Sequence, residues 1–90
     1  MKGSNLLANF LKEKRISSGM SQKEVADKLG YSTPQFISNW ERGVSSPPIN
    51  ALKQLGVMYK VKPDELFDVV LAEEIRITTE TLRLKFKRAK

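Results

Sequence analysis

The 90-residue chain contains no cysteine and no histidine. Without thiols it has no disulfide, no zinc-thiolate site and no thiol chemistry. Without imidazole it lacks the commonest general base, a common metal ligand and the usual partner of a nucleophilic serine. The ten acidic residues are spread along the chain, and no pair stands out as a catalytic couple. No enzymatic activity, metal or cofactor is therefore expected, and no small-molecule site is evident. Long apolar runs are missing too. The stretch "NLLANFL" near the start is far shorter than the roughly 20 residues of a membrane span. It also lacks the hydrophobic core and cleavage site of a signal peptide. A cytoplasmic protein without a membrane partner is the expectation.

What the chain does have is positive charge, and that charge is unevenly placed. Residues 1–62 hold ten Lys/Arg and four Asp/Glu, a net +6, whereas residues 63–90 hold six of each. The excess lies on the N-terminal two-thirds, as suits a surface that meets phosphate. Such an excess is also common in proteins with unrelated tasks, so charge alone does not decide.

Ninety residues make one small domain with a modest core. Gly, Pro and Ser divide it into helical segments. Leu7, Phe10, Leu11 and Lys14 recur at helical spacing, with Ser4 or Asn5 as cap and Gly19 as stop, predicting a helix over about 5–18. Ser21 and Glu24 form an S-x-x-E capping box, Met20 staples onto Val25, and Gly30 supplies the left-handed stop, predicting a helix over 22–29. In "YSTPQFISNWERG" the proline falls where a first turn tolerates it. Ser32 or Thr33 as cap and Gly43 as stop predict a helix over about 33–42. Ser46, Pro47 and Pro48 restart the chain, and Ile49, Leu52, Leu55 and Tyr59 form a fourth helical stripe. Pro63 with Asp64 and Glu65 opens a fifth helix. The fold class is all-α, five helices over residues 5 to about 70.

At about 100° per residue, Gln35, Ser38, Asn39 and Arg42 share one arc of the third helix. Phe36, Ile37 and Trp40 fall roughly opposite, which makes Trp40 a core anchor beside Ile37. A merely solvated face more often carries Glu and Lys. Here amides, a hydroxyl and a guanidinium dominate, and Gln or Asn can pair bidentately with adenine in the major groove. Two short helices joined by a tight Gly-containing turn make a helix-turn-helix, whose second helix can enter that groove.

The stretch from Met20 to Phe67 resembles the Cro/repressor-type (XRE-like) helix-turn-helix family. The matching residues are S-Q-x-x-V-A at 21–26, Leu29-Gly30, Ile37-Ser38, Trp40-Glu41-Arg42-Gly43, Pro48 and D-E-L-F at 64–67. The resemblance covers about residues 7–68. It implies a lambda-repressor-like domain over residues 1–68 and a transcriptional regulator, a repressor, on double-stranded DNA. It also implies that Thr33, Gln35 and Asn39 serve base reading, with Ser38 joining them on the bases in support or touching phosphate. Gln22, Lys23, Arg42, Ser45, Ser46 and Asn50 would meet phosphate. Arg42 has a structural alternative, holding Glu41 or another acid, and Arg15 is expected to pair with an acid at the core rim. The interval from Gly30 to Gly43 is one residue longer than in common members, which leaves the first reading place between Thr33 and Gln35. Lys60 stands where a glycine often closes the fourth helix, and Lys62 where a serine often caps the fifth. Lys2, Lys12, Lys14, Lys23 and Lys28 supply general positive charge. An antitoxin or adaptor that has repurposed the motif for protein contact is the alternative function.

Residues 69–90 lie beyond the resemblance. Val70, Ile77 and Leu84 recur at seven, and Leu71, Ile75, Leu82 and Ala89 nearly complete a helical stripe. They extend the fifth helix or add a sixth whose apolar seam packs on its own domain or on a partner, homodimerisation being the expectation. The rival is a strand, because "LRLKFK" alternates apolar and basic residues and "ITTET" is rich in β-formers. The five charges Arg83, Lys85, Lys87, Arg88 and Lys90 make a basic end.

Overall fold

The computed structural model describes residues 5–90, all of whose regular structure is helical. Five helices follow in order: α1 (Leu6–Ser17), α2 (Gln22–Leu29), α3 (Gln35–Arg42), α4 (Ile49–Met58) and α5 (Pro63–Arg88). Asn5 caps α1 by accepting the Ala8 N–H at 2.9 Å. The alternative cap Ser4, and the basic residue Lys2, lie outside the described residues. The capping box of α2 forms in both directions: Ser21 Oγ accepts the Glu24 N–H, and Glu24 accepts the Ser21 N–H. Two orphan donors are thereby satisfied by one pair of side chains.

The third helix departs from expectation at its start. It begins at Gln35, with Pro34 in the cap position, rather than at residue 33. Neither Ser32 nor Thr33 holds that position. Thr33 still serves the helix end, because its Oγ1 accepts the Gln35 N–H at 3.3 Å. The proline ring fixes φ at −82°, and a ψ of 7° makes residues 32–34 a turn that leads into the helix.

Leu7, Leu11, Val25, Ile37, Trp40 and Leu55 form the middle of one apolar core, joined by Leu52, Tyr59 and Leu66. Each fully buried aliphatic or aromatic side chain contributes roughly 1.5–3 kcal/mol. Helix α3 packs on α1 and α2, and α5 packs on α1 and α4. The centre of α3 is therefore held from two sides while one face stays open.

Helix α5 runs for 26 residues without a break. Residues 69–88 are thus helix, not strand. No Gly or Pro interrupts the chain after Pro63. A helix satisfies its backbone internally, whereas a lone strand would leave its donors and acceptors without partners. Packing against the domain continues past residue 68: Glu73 is 2% exposed and accepts the Leu6 N–H at 3.2 Å. Arg76 donates to the same carboxylate at 2.6 Å. An acid at the positive end of α1 offsets the unpaired donors of its first turn. Lys62 holds the cap position of α5 without a side-chain bond, and Asp64 and Glu65 meet that end instead.

Among the described residues, Lys60 is the one residue other than glycine at positive φ. Lys60 sits at φ 57° and closes α4 in the left-handed region, where Val61 N–H returns to the Gly56 carbonyl at 2.9 Å. A side chain there costs about 1–2 kcal/mol. Lys60→Gly is expected to raise stability by about 1 kcal/mol in urea unfolding, part of the gain being lost to glycine's unfolded-state entropy. Gly30 and Gly43 have φ of 85° and 77°. A Cβ at Gly30 meets open space, but one at Gly43 would lie 2.7 Å from Asn5 Nδ2, on the residue that caps α1. Gly30→Ala should cost about 1 kcal/mol. Gly43→Ala should cost about 2 kcal/mol, because it adds loss of the cap. Equal costs in urea titrations would refute the Asn5 contact as the cause.

Candidate nucleic-acid interface

Helix α3 has a buried side built on Ile37, Trp40 and Glu41, of which only the first two are apolar. Glu41 is 8% exposed. Its carboxylate accepts from three groups. Arg15 donates through Nε to Oε2 at 2.7 Å and through Nη2 to Oε1 at 3.0 Å. Gln22 Nε2 donates to Oε1 at 3.0 Å. Arg15 Nη1 also reaches the Met20 carbonyl at 2.9 Å. The Glu41 hydrogen bonds hold the Arg15 pKa above its ordinary value, against the opposing effect of burial. Nearby, burial pushes the Tyr59 hydroxyl up, and the Glu41 charge adds to it. One carboxylate thus ties α3 to α1 and to the first residue of α2. Glu41 is held by Arg15 and Gln22, which leaves the guanidinium of Arg42 for the outer face.

That outer face is an ordered polar row. Gln35 Nε2 donates to Asn39 Oδ1 at 2.9 Å, and Arg42 Nη2 donates to the same oxygen at 2.6 Å. Arg42 Nε donates to Ser38 Oγ at 3.3 Å. Gln35 and Arg42 are exposed, and Ser38 and Asn39 half-buried. These i, i+3 and i, i+4 contacts hold long side chains in place before any ligand arrives. Thr33 is exposed in the turn ahead of the row, oriented by its bond to the Gln35 N–H. The structure therefore brings Gln35, Ser38, Asn39 and Arg42 together and puts Thr33 at their leading edge.

The remaining expected contacts stand at the start of α2, in the loop after α3 and in the first turn of α4. Gln22 is the first residue of α2 and half-buried, with its amide engaged on Glu41. Lys23 is exposed, and its ammonium is paired with Asp27 at 2.7 Å. Ser45 and Ser46 are exposed in the loop after α3, and Asn50 is exposed in the first turn of α4. Unpaired N–H groups of a first turn are natural anion donors. Lys14 is directed elsewhere, 3.8 Å from Glu65 and 5.4 Å above the Phe10 ring.

Phe36 corrects the sequence reading. The wheel places it roughly opposite the polar row, with Ile37 and Trp40, yet it is 53% exposed. Its ring packs on Tyr31, with centroids 5.0 Å apart, and more loosely on Trp40 at 6.4 Å. On the wheel it lies at the border between the two faces, and Tyr31 fills the space beneath it. An exposed phenyl at the start of α3 offers an apolar contact of the kind a thymine methyl makes. Strict opposition on the wheel hid this; the aromatic Tyr31 just after Gly30 was the available signal.

Comparison with known proteins agrees with this geometry. A family model described as helix-turn-helix matches residues 11–66. The chain belongs to the XRE-like helix-turn-helix family. Its α2 and α3 are the helix-turn-helix pair, and α3 is the second helix of the motif. Among relatives, the HTH-type transcriptional regulator ImmR of Bacillus subtilis (strain 168) is 38% identical over 60 residues. That stretch is 67% of this chain and 46% of ImmR, so the chain spans under half the length of this helix-turn-helix relative. No solved structure matches the chain. Among the described residues, no helix is long and apolar enough to cross a membrane.

The Glu41 network makes a stability prediction. Arg15→Met leaves a buried carboxylate without its ion partner and should cost about 3 kcal/mol. The double replacement Arg15→Met with Glu41→Leu should recover most of that loss, because neither charge is then stranded. A thermal or urea double-mutant cycle measures both. Additive losses would show that the two side chains do not act as a pair.

Proposed function

We propose that the protein is a sequence-specific regulator of transcription that binds double-stranded DNA as a homodimer in the cytoplasm and acts as a repressor. In this reading residues 1–68 form the DNA-binding unit and residues 69–90 the dimerisation segment, with the first turns after residue 68 also bracing α1 through Glu73. Helix α3 enters the major groove, and Thr33, Gln35, Ser38 and Asn39 address base edges. Asn39 and Gln35 exchange their mutual hydrogen bond for bidentate pairs with bases, adenine being the best geometric match. Arg42, Gln22, Lys23, Ser45, Ser46 and Asn50 meet the backbone, which fixes register and orientation without reading sequence. A dimer then reads two half-sites about one helical turn apart.

The observation that carries this reading is the ordered row of Gln35, Asn39, Arg42 and Ser38 on a helix whose reverse side is anchored by a buried carboxylate. Such anchoring holds base-reading groups at a fixed angle, which specificity requires. The membership in the helix-turn-helix family and the likeness to a protein named as a transcriptional regulator support it. The exposed apolar faces of α5 favour a second reading, a protein-interaction module such as an antitoxin or adaptor.

Selection from random duplexes with the purified protein tests the first reading: an enriched motif is expected, and none would refute it. On the selected operator, Gln35→Ala and Asn39→Ala should each lose about 1–3 kcal/mol and relax preference at individual positions. Gln22→Ala should weaken all sequences alike. Mobility shifts at two salt concentrations on matched and mismatched operators distinguish these effects. Absence of binding at both, with a stable hetero-partner in a pull-down, would favour the second reading.

A further inference from the structure

Helix α5 has two sides with different fates. Leu66 and Glu73, two turns apart, are buried against the domain. Roughly opposite them, Phe67, Leu71, Ile75, Thr78, Leu82 and Phe86 form a second stripe at helical spacing. All six are exposed, and Phe86 is 86% exposed. An apolar stripe along a whole helix needs a cover.

Two features of the stripe identify that cover. The first is symmetry of position. Phe67 and Phe86 lie equally far from the point between Arg76 and Ile77, as do Leu71 and Leu82, and Ile75 and Thr78. A second α5 laid antiparallel about that point sets Phe67 against Phe86 of the partner subunit and Leu71 against Leu82 of the partner subunit. The second is charge. Residues 63–75 carry five acids and no base, whereas residues 76–88 carry five bases and one acid. Antiparallel pairing lays the acidic half of each helix along the basic half of the other; parallel pairing would set acid beside acid and base beside base. Resting on the homodimer reading above, we propose that the dimer is an antiparallel α5–α5 pair joined through this stripe and centred between Arg76 and Ile77.

The pairing has a consequence for the reading helices. The two Phe67 residues stand 19 positions apart along the paired axis, about 28 Å at about 1.5 Å per residue. The domains are thus held apart on the scale of one turn of duplex, about 34 Å. The same interface that closes the dimer spaces its two α3 helices.

The absence of native cysteine allows a clean test on the full chain. Leu71→Cys and Leu82→Cys are made separately, mixed or kept apart, and mildly oxidised without DNA. In the antiparallel pair Leu71 lies beside Leu82 of the partner subunit, while the two Leu71 positions are about 16 Å apart along the axis, beyond the roughly 7 Å Cα separation of a disulfide. The mixture should therefore give disulfide-linked dimer, and each variant alone should give little. Sedimentation equilibrium should also show the native dimer weakening as salt rises, since opposite charges face each other. Efficient cross-linking of Leu71→Cys alone, or a dimer that tightens with salt, would overturn the antiparallel arrangement and leave the homodimer standing. The same holds if Ile77→Asp with Leu84→Asp separates the dimer while Leu71→Asp with Leu82→Asp, still helical by circular dichroism, does not. A chain that stays monomeric at all concentrations would overturn the homodimer reading and the pairing with it.

Discussion

The Glu41 carboxylate is the joint on which the rest of this domain turns. It sits on the inner side of α3, one residue beyond the Trp40 anchor, and receives a forked guanidinium from α1 and an amide from the head of α2. A carboxylate taken out of water is costly unless its oxygens are satisfied. Here both oxygens are satisfied from different helices, so the arrangement exists only when all three helices are in register. Apolar contacts among Leu11, Val25, Ile37 and Trp40 supply the bulk of the burial. They are non-directional and tolerate small rotations of α3 about its axis. The charge-assisted bonds do not, because they depend on distance and angle.

That rigidity matters because of what the same eight-residue helix carries outside. Helix α3 is too short to hold itself. Its two ends are a proline turn and a left-handed Gly43 packed against Asn5. Its polar row gains order from within, through the shared Asn39 oxygen. Phe36 closes the leading edge, braced by Tyr31. An ordered polar surface is built in this way on a helix the core prevents from rolling.

The fifth helix plays a double part. Its first turns are structural: Leu66 enters the core, and Glu73 closes the exposed head of α1. Its later turns leave the domain with apolar residues still facing outward. One unbroken helix thus couples the packing of α1 to the exposed apolar residues of its own later turns. The proposed antiparallel pair makes its length a determinant of how far apart the two reading helices stand.

Much of this was legible in the residues. The capping box at Ser21 and Glu24, the glycine stops and the proline starts are local signals, and local hydrogen bonding decides helix ends; α1, α2, α4 and the start of α5 follow from them. The pairing of Arg15 with an acid followed from the family resemblance. What local pattern could not decide was how the segments come together. Phe36 falls with Ile37 and Trp40 on the wheel, and only the placing of Tyr31 shows that its ring lies at the border. Pro34 marks a helix start, yet the turn of residues 32–34 moves that start to Gln35. The alternation in "LRLKFK" suits a strand, but no strand among the described residues stands ready to pair with it, and continuity with α5 makes it helix. Glu41 looks like one more surface acid, and its burial is created by Arg15 and Gln22 arriving from two other helices. The residues alone determined the five helices up to about residue 70 and the chemistry α3 can offer, because those depend on hydrogen bonds and side chains within a few residues. The tertiary structure decided which of those side chains are held, buried or left open, because that depends on which partners the packing brings within reach.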